Sequence, residues 1–126
     1  MKRLIISLAL ALSVLAASVF EVVYVSGKSD GYAERINNID HLISDGNSDE
    51  AIAECKKLEA DWESGSRKTY TLLSHEAVDS VGFCVSRMNA FLAKGSYQMY
   101  FAESTSAKKG LASIKGSEYP LIENIL

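Results

Sequence analysis

The sequence predicts an all-α protein, an N-terminal transmembrane helix followed by four amphipathic segments stacked as two antiparallel helical hairpins. Three observations carry that expectation. Lys2 and Arg3 precede an uncharged run from Leu4 to Phe20, and a further apolar patch, Val22 to Val25, follows Glu21. Beyond it, apolar residues recur at three- and four-residue steps, the period of a helix that buries one face. Glycines beside capping residues, at Asp45-Gly46-Asn47, Ser64-Gly65-Ser66 and Lys94-Gly95-Ser96, punctuate that pattern.

The apolar run comes first. Leu4 to Phe20 is 17 residues, and continuing the helix to Val25 gives 22 positions, enough for a hydrocarbon core that takes about 20. Both early positive charges precede it, so the positive-inside rule holds the N-terminus in the cytoplasm and sends the remainder across the membrane. Ala16-Ala17-Ser18 also resembles a signal-peptidase site, which would make the product secreted. Signal cores usually run about 7 to 15 residues, however, and this one stays apolar beyond the cleavage point. No cysteine follows the run to accept a lipid. The expected organisation is a signal-anchor over residues 1–26 that contacts the bilayer through 4–25, a polar linker over 27–31, and an extracytoplasmic helical domain over 32–126.

That domain is small. About 100 residues bury somewhat less than about 70% of their unfolded surface, which disfavours a large internal active site, and no small-molecule substrate or cofactor is evident. After Ser26 there are 11 Lys and Arg against 15 Asp and Glu, with no basic cluster larger than Lys56-Lys57, Arg67-Lys68 and Lys108-Lys109. Nucleic acid is disfavoured because phosphate binding needs a concentrated positive face.

Four segments follow in order. Tyr32, Ile36, Ile39, Leu42 and Ile43 form the first stripe, and Ile52, Cys55, Leu58 and Trp62 the second. The third and longest is expected from about Arg67 to Ala93, with Tyr70, Leu73, Ala77, Val81, Val85, Met88 and Leu92 on one face. In the fourth, Tyr97, Tyr100, Phe101, Ser104, Ala107, Leu111 and Ile114 align, although Gly110 weakens the helix by about 1 kcal/mol relative to alanine. Asn47, with Glu50 three residues on, resembles a capping box, and Gly95 suits the left-handed position that ends a helix. A shift of 49 residues lays Leu42, Gly46, Ile52, Ala53 and Glu54 on Phe91, Gly95, Phe101, Ala102 and Glu103. The repeated unit is similar in logic to tetratricopeptide hairpins but lacks their pattern and their period of about 34 residues. Repeat-like and bundle-like four-helix packings both fit.

Chemistry is sparse. His75-Glu76-Ala77-Val78-Asp79 places His75 and Asp79 four residues apart on one helical face, where they could supply two metal ligands, with Glu76 completing a hydrolase-like set. A third ligand from Asp40 or His41 requires the first and third helices to meet. The competing reading is a local ion pair or hydrogen bond of His75, and no metal site is expected. Cys55 and Cys84 are either a disulfide across adjacent helices or two free core thiols. Trp62 is expected in the core rather than as a stacking platform. Pro120 is expected to open a last helical turn that docks Leu121, Ile122, Ile125 and Leu126 over the hairpins; the alternative is an exposed peptide that binds a partner groove.

The segments together resemble a known family. The N-terminal membrane segment, Asp49-Glu50-Ala51 leading to Leu58-Glu59-x-x-Trp62, His75-Glu76-x-x-Asp79 and the ending Glu123-Asn124-Ile125-Leu126 are similar to the bacterial domain-of-unknown-function family 4363. The resemblance implies a short, membrane-anchored, mainly helical protein of Firmicutes and supplies no catalytic residues. The expected function is a non-catalytic, membrane-tethered module that binds a protein partner in the cell envelope, with the metal-dependent alternative resting on His75, Glu76 and Asp79.

Overall fold

The computed structural model describes the backbone of residues 1–69 and 75–125 and the side-chain surroundings of residues 1–66 and 76–116. Four helices account for nearly all of it: α1 (Lys2–Ser44), α2 (Ser48–Thr69), α3 (His75–Ala93) and α4 (Tyr97–Ile125). Each helix packs against two others, in the cyclic order α1, α2, α3, α4 and back to α1, and among the described residues the backbones of the diagonal pairs do not come close to one another. In a linear stack of hairpins α1 and α4 would lie apart. The architecture is therefore a closed four-helix bundle.

Cross-helix contacts fix the direction of every pair. Along α2 and α3, Cys55 meets Asn89, Glu59 meets Ser86, and Trp62 lies against Gly82, so numbers rise on one helix as they fall on the other. The same holds for α1 with α4, where Asp40 meets Ser104, Asn37 meets Lys108 and Asp30 meets Lys115. Arg87 with Glu103 and Val81 against Gly110 set α3 against α4. The bundle runs up, down, up, down.

Its core comes from the stripes read in the sequence. Ile36 and Ile39 of α1, Cys55, Leu58 and Trp62 of α2, Val81, Val85, Met88 and Leu92 of α3, and Tyr100, Ala107, Leu111 and Ile114 of α4 are all buried in one cluster. Trp62 packs edge-on to Tyr32 at 4.9 Å between ring centres, which places it in the core as expected.

The two short connections are built alike. Gly46 has φ +84° and Gly95 φ +71°, a conformation that costs residues with a Cβ about 1–2 kcal/mol. At the first, Asn47 N–H donates to the Leu42 carbonyl at 2.8 Å and Gly46 N–H to that of Ile43 at 3.1 Å; at the second, Ser96 donates to Phe91 at 2.9 Å and Gly95 to Leu92 at 3.1 Å. This paired pattern caps the otherwise unsatisfied carbonyls of a helix end. The internal echo is thus a repeated turn within a closed bundle.

Four expectations change. Residues 27–31 are not a linker, because α1 passes through them without a break. The packed part of α1 begins at Val22, with Val25 and Ser29 also buried, well before the boundary expected at residue 32. Ser64-Gly65-Ser66 does not interrupt α2, which continues to Thr69, so α3 is 19 residues long and is not the longest helix. A Cβ on Gly65 would lie 3.0 Å from the Tyr32 hydroxyl, so this glycine admits a neighbouring helix rather than ending its own. Pro120 lies within the continuous span of α4 and does not open a separate turn. Gly110 likewise serves close packing, since a Cβ there would come within 2.7 Å of Val81 Cγ2. The docking of Leu121, Ile122, Ile125 and Leu126 lies outside the described residues.

Candidate functional site

Of the residues singled out for metal chemistry, Asp40 and His41 belong to α1, and His75, Glu76 and Asp79 to the first turns of α3. His75 is the first residue of α3, and its side chain lies outside the described residues. Glu76 and Asp79 are exposed and, with Ser80, Phe83 and Arg87, line an open groove along the outer face of α3. Asp40 lies level with Tyr100 and Ser104, near the Gly46 turn, whereas Asp79 is ten residues from Asn89, the α3 residue that meets Cys55. That is about 15 Å along the helix. Because α1 and α3 are diagonal in the bundle, Asp40 and Asp79 are not brought together. His41 is exposed on α1. Among the described residues no group of three His, Cys, Asp or Glu side chains is placed to hold a metal ion.

Asp40 has a different task. Its Oδ1 accepts the Tyr100 hydroxyl and the Ser104 hydroxyl, each at 2.8 Å, and its Oδ2 accepts Lys108 Nζ at 2.9 Å. Lys108 also donates to Asn37 Oδ1 at 3.0 Å. Burial, followed by the Asp40 carboxylate, pushes the Tyr100 hydroxyl well above the ordinary tyrosine range, so it stays a donor. This cluster pins α1 to α4. On the opposite seam Glu59 accepts Ser86 Oγ at 2.7 Å and the Asn89 side-chain amide, which also donates to the Cys55 carbonyl at 3.2 Å. Sequence periodicity placed Tyr100 and Ser104 on the packed face of α4, but nothing in it paired them with Asp40, 60 and 64 positions away. Among the described residues no buried side-chain nitrogen or oxygen lacks a hydrogen-bond partner.

The cysteines are separate, buried thiols. Cys55 faces the interior, where burial and then the charges of Glu59 and Asp40 push its thiol up to about 12. Cys84 lies on the seam with α4, its Sγ 3.6 Å from Arg87 Nη2; burial and then Glu103 raise it, against a smaller opposing effect of Arg87. Both are poor nucleophiles, because the thiolate is the reactive form.

The feature that packing does not account for is the first half of α1. Leu4, Ile5, Ile6, Leu8, Leu10, Leu12, Val14, Leu15, Val19 and Phe20 are all exposed, and only 6% of the most apolar 18-residue window of this helix is buried. A core helix would be mostly covered. Ser7, Ser13 and Ser18 direct their hydroxyls to the carbonyls of Arg3, Ala9 and Val14, each at 2.9 Å, so even the polar side chains of the run are satisfied within the helix. α1 is the one helix, among the described residues, long and apolar enough to cross a membrane.

Comparison with curated proteins and with solved structures gave no match. A family model described as a domain of unknown function (DUF4363) matches residues 19–125, which is the bundle together with the last residues of the exposed segment. The elements that carry the resemblance are packing residues in part: Ala51, Leu58 and Trp62 are buried, and Glu59 joins α2 to α3. The chain belongs to this domain-of-unknown-function family, DUF4363.

Proposed function

We propose that the protein is a non-catalytic interaction module, held in the cell membrane by residues 4–25 of α1 and presenting its helical bundle on the extracytoplasmic side to a protein partner of the envelope. The observation that supports this is the continuous exposed apolar half of α1, which leads without a break into a bundle in which, among the described residues, every buried side-chain nitrogen and oxygen has a hydrogen-bond partner. Lys2 and Arg3 favour a cytoplasmic N-terminus. The acidic balance beyond the apolar segment and the open groove on α3 around Phe83 favour a protein surface over nucleic acid as the partner.

Labelling intact cells with a membrane-impermeant maleimide tests the topology. Ala60→Cys, on the exposed face of α2, should label without permeabilisation. A photoreactive residue in place of Phe83 tests the surface. The reading predicts a discrete envelope adduct that weakens when the neighbouring Arg87 is reversed with Arg87→Glu. Labelling of Ala60→Cys only after permeabilisation would reverse the topology, and identical adducts from Phe83 and from Ala60 would remove the case for this surface.

A further inference from the structure

The membrane-facing end of the bundle carries an outward stripe that core packing leaves uncovered. Val22, Val25 and Ser29 of α1 turn inward, whereas Phe20, Val23 and Tyr24 at the same height are 72%, 66% and 43% exposed. Phe20 and Tyr24 stack with ring centres 6.3 Å apart, and Lys28 Nζ lies 5.7 Å from the Tyr24 ring centre. Phe20, Tyr24 and Lys28 are spaced four apart, so they form one stripe. Aromatic rings followed by a lysine are the side chains that favour the headgroup layer, the rings at the boundary and the ammonium reaching towards phosphate.

Length agrees with this placement. From Leu4 to Tyr24 the helix rises about 30 Å, the thickness of a hydrocarbon core. With Lys2 and Arg3 at one boundary, Tyr24 falls at the other, although Val22 and Val25 are already covered by the bundle. No linker intervenes. The pairing of Lys115 with Asp30 at 3.1 Å, with α4 continuing to Ile125, carries the α4 backbone towards this same level.

We propose that the bundle does not hang from the membrane on a tether but is seated in the outer headgroup layer, with Phe20, Val23 and Tyr24 against lipid and Lys28 at the phosphates. The bundle then stands along α1, its Gly46 and Gly95 turns outermost. This inference rests on the membrane-anchor reading above, and the occupant of the stripe is the same bilayer that holds α1.

The test uses full-length protein in phosphatidylcholine and phosphatidylglycerol vesicles, with an environment-sensitive thiol label at Leu12→Cys, Tyr24→Cys, Lys28→Cys or Glu34→Cys. All four side chains are exposed, and the native thiols are buried. Spin-labelled lipids should quench Leu12→Cys from mid-chain and Tyr24→Cys and Lys28→Cys from the headgroup, several-fold more strongly than Glu34→Cys, which aqueous iodide should quench. If the labels at 24 and 28 behave like that at 34 while 12 remains deep, the seating is overturned and the anchor stands. A label at 12 open to iodide would overturn the anchor itself. Labels at 24 shielded from both quenchers, with proximity between copies, would show a second chain in place of lipid and also overturn the proposal.

Discussion

Helix α1 is two solvents' worth of sequence on one backbone. Residues 4 to 20 are apolar or small around the whole circumference and largely exposed, whereas from Val22 onwards one face is buried, and beyond Tyr24 the other is charged, polar or small. In the first half the serine hydroxyls bond within the helix and the large apolar side chains stay uncovered, so what specifies it is the medium around it. The second half is specified by α2 and α4, through Ile36, Ile39 and Asp40. A helix that is hydrophobic all round needs a nonpolar medium, while an amphipathic one needs a partner surface.

The largest effect expected comes from placing the same charge on the covered and on the uncovered face of α1 where its two halves meet. Val25→Asp buries an unpaired carboxylate at a position that is 1% exposed and should destabilise the bundle by roughly 4 kcal/mol or more, read as a collapse of the thermal or urea midpoint. Val23→Asp, two residues away and exposed, should leave that midpoint nearly unchanged.

Next in size is the converse effect. Leu12→Arg should disfavour membrane insertion by about 3 kcal/mol without altering the unfolding of the bundle, since Leu12 is 58% exposed and outside the core. Flotation on a density gradient measures the first quantity and urea unfolding the second. A loss of bundle stability would mean that the two halves are not independent.

Asp40→Ala removes the shared acceptor of Tyr100, Ser104 and Lys108 and should cost about 1–3 kcal/mol. Tyr100→Phe, which deletes one donor and leaves two, should cost about 0.5–1.5 kcal/mol. Equal costs would show that the cluster does not depend on the carboxylate.

The last effect is one of pH, and it is confined to alkaline solution. The Cys55 thiol is raised by burial from 9.0 to about 12, so the unfolded chain loses this proton first. Its contribution to stability is complete below about pH 9 and is lost as pH rises towards 12. The urea midpoint should fall across that window, and less steeply in Cys55→Ala. Tyr100 adds a fall in the same direction at higher pH, again because burial raises it.

Much of this organisation was legible in the sequence. Periodicity located the buried faces, since Ile36, Leu58, Met88 and Leu111, one from each stripe, are all buried, and Gly46 and Gly95 marked true turns because a left-handed residue at a helix end favours glycine. The same residue type misled at Gly65. There glycine provides room for Tyr32 rather than a turn, a distinction that depends on what lies across the interface. The polar stretch 27–31 suggested a linker, but its Ser29 packs inside the bundle, and one apolar or small residue per turn is enough to continue a helix against neighbours. Closure of the bundle and the Asp40 cluster are long-range pairings that no local pattern encodes.

On the proposal above, residues 4–25 hold the protein in a bilayer by hydrophobic insertion. Membranes carrying the full-length protein, washed successively with high salt and alkaline carbonate, test it most directly. The protein should stay in the pellet through both washes, because salt screens charge and does not weaken apolar burial. Release of the intact chain into either wash, or recovery of a soluble secreted form beginning near Val19, would contradict it.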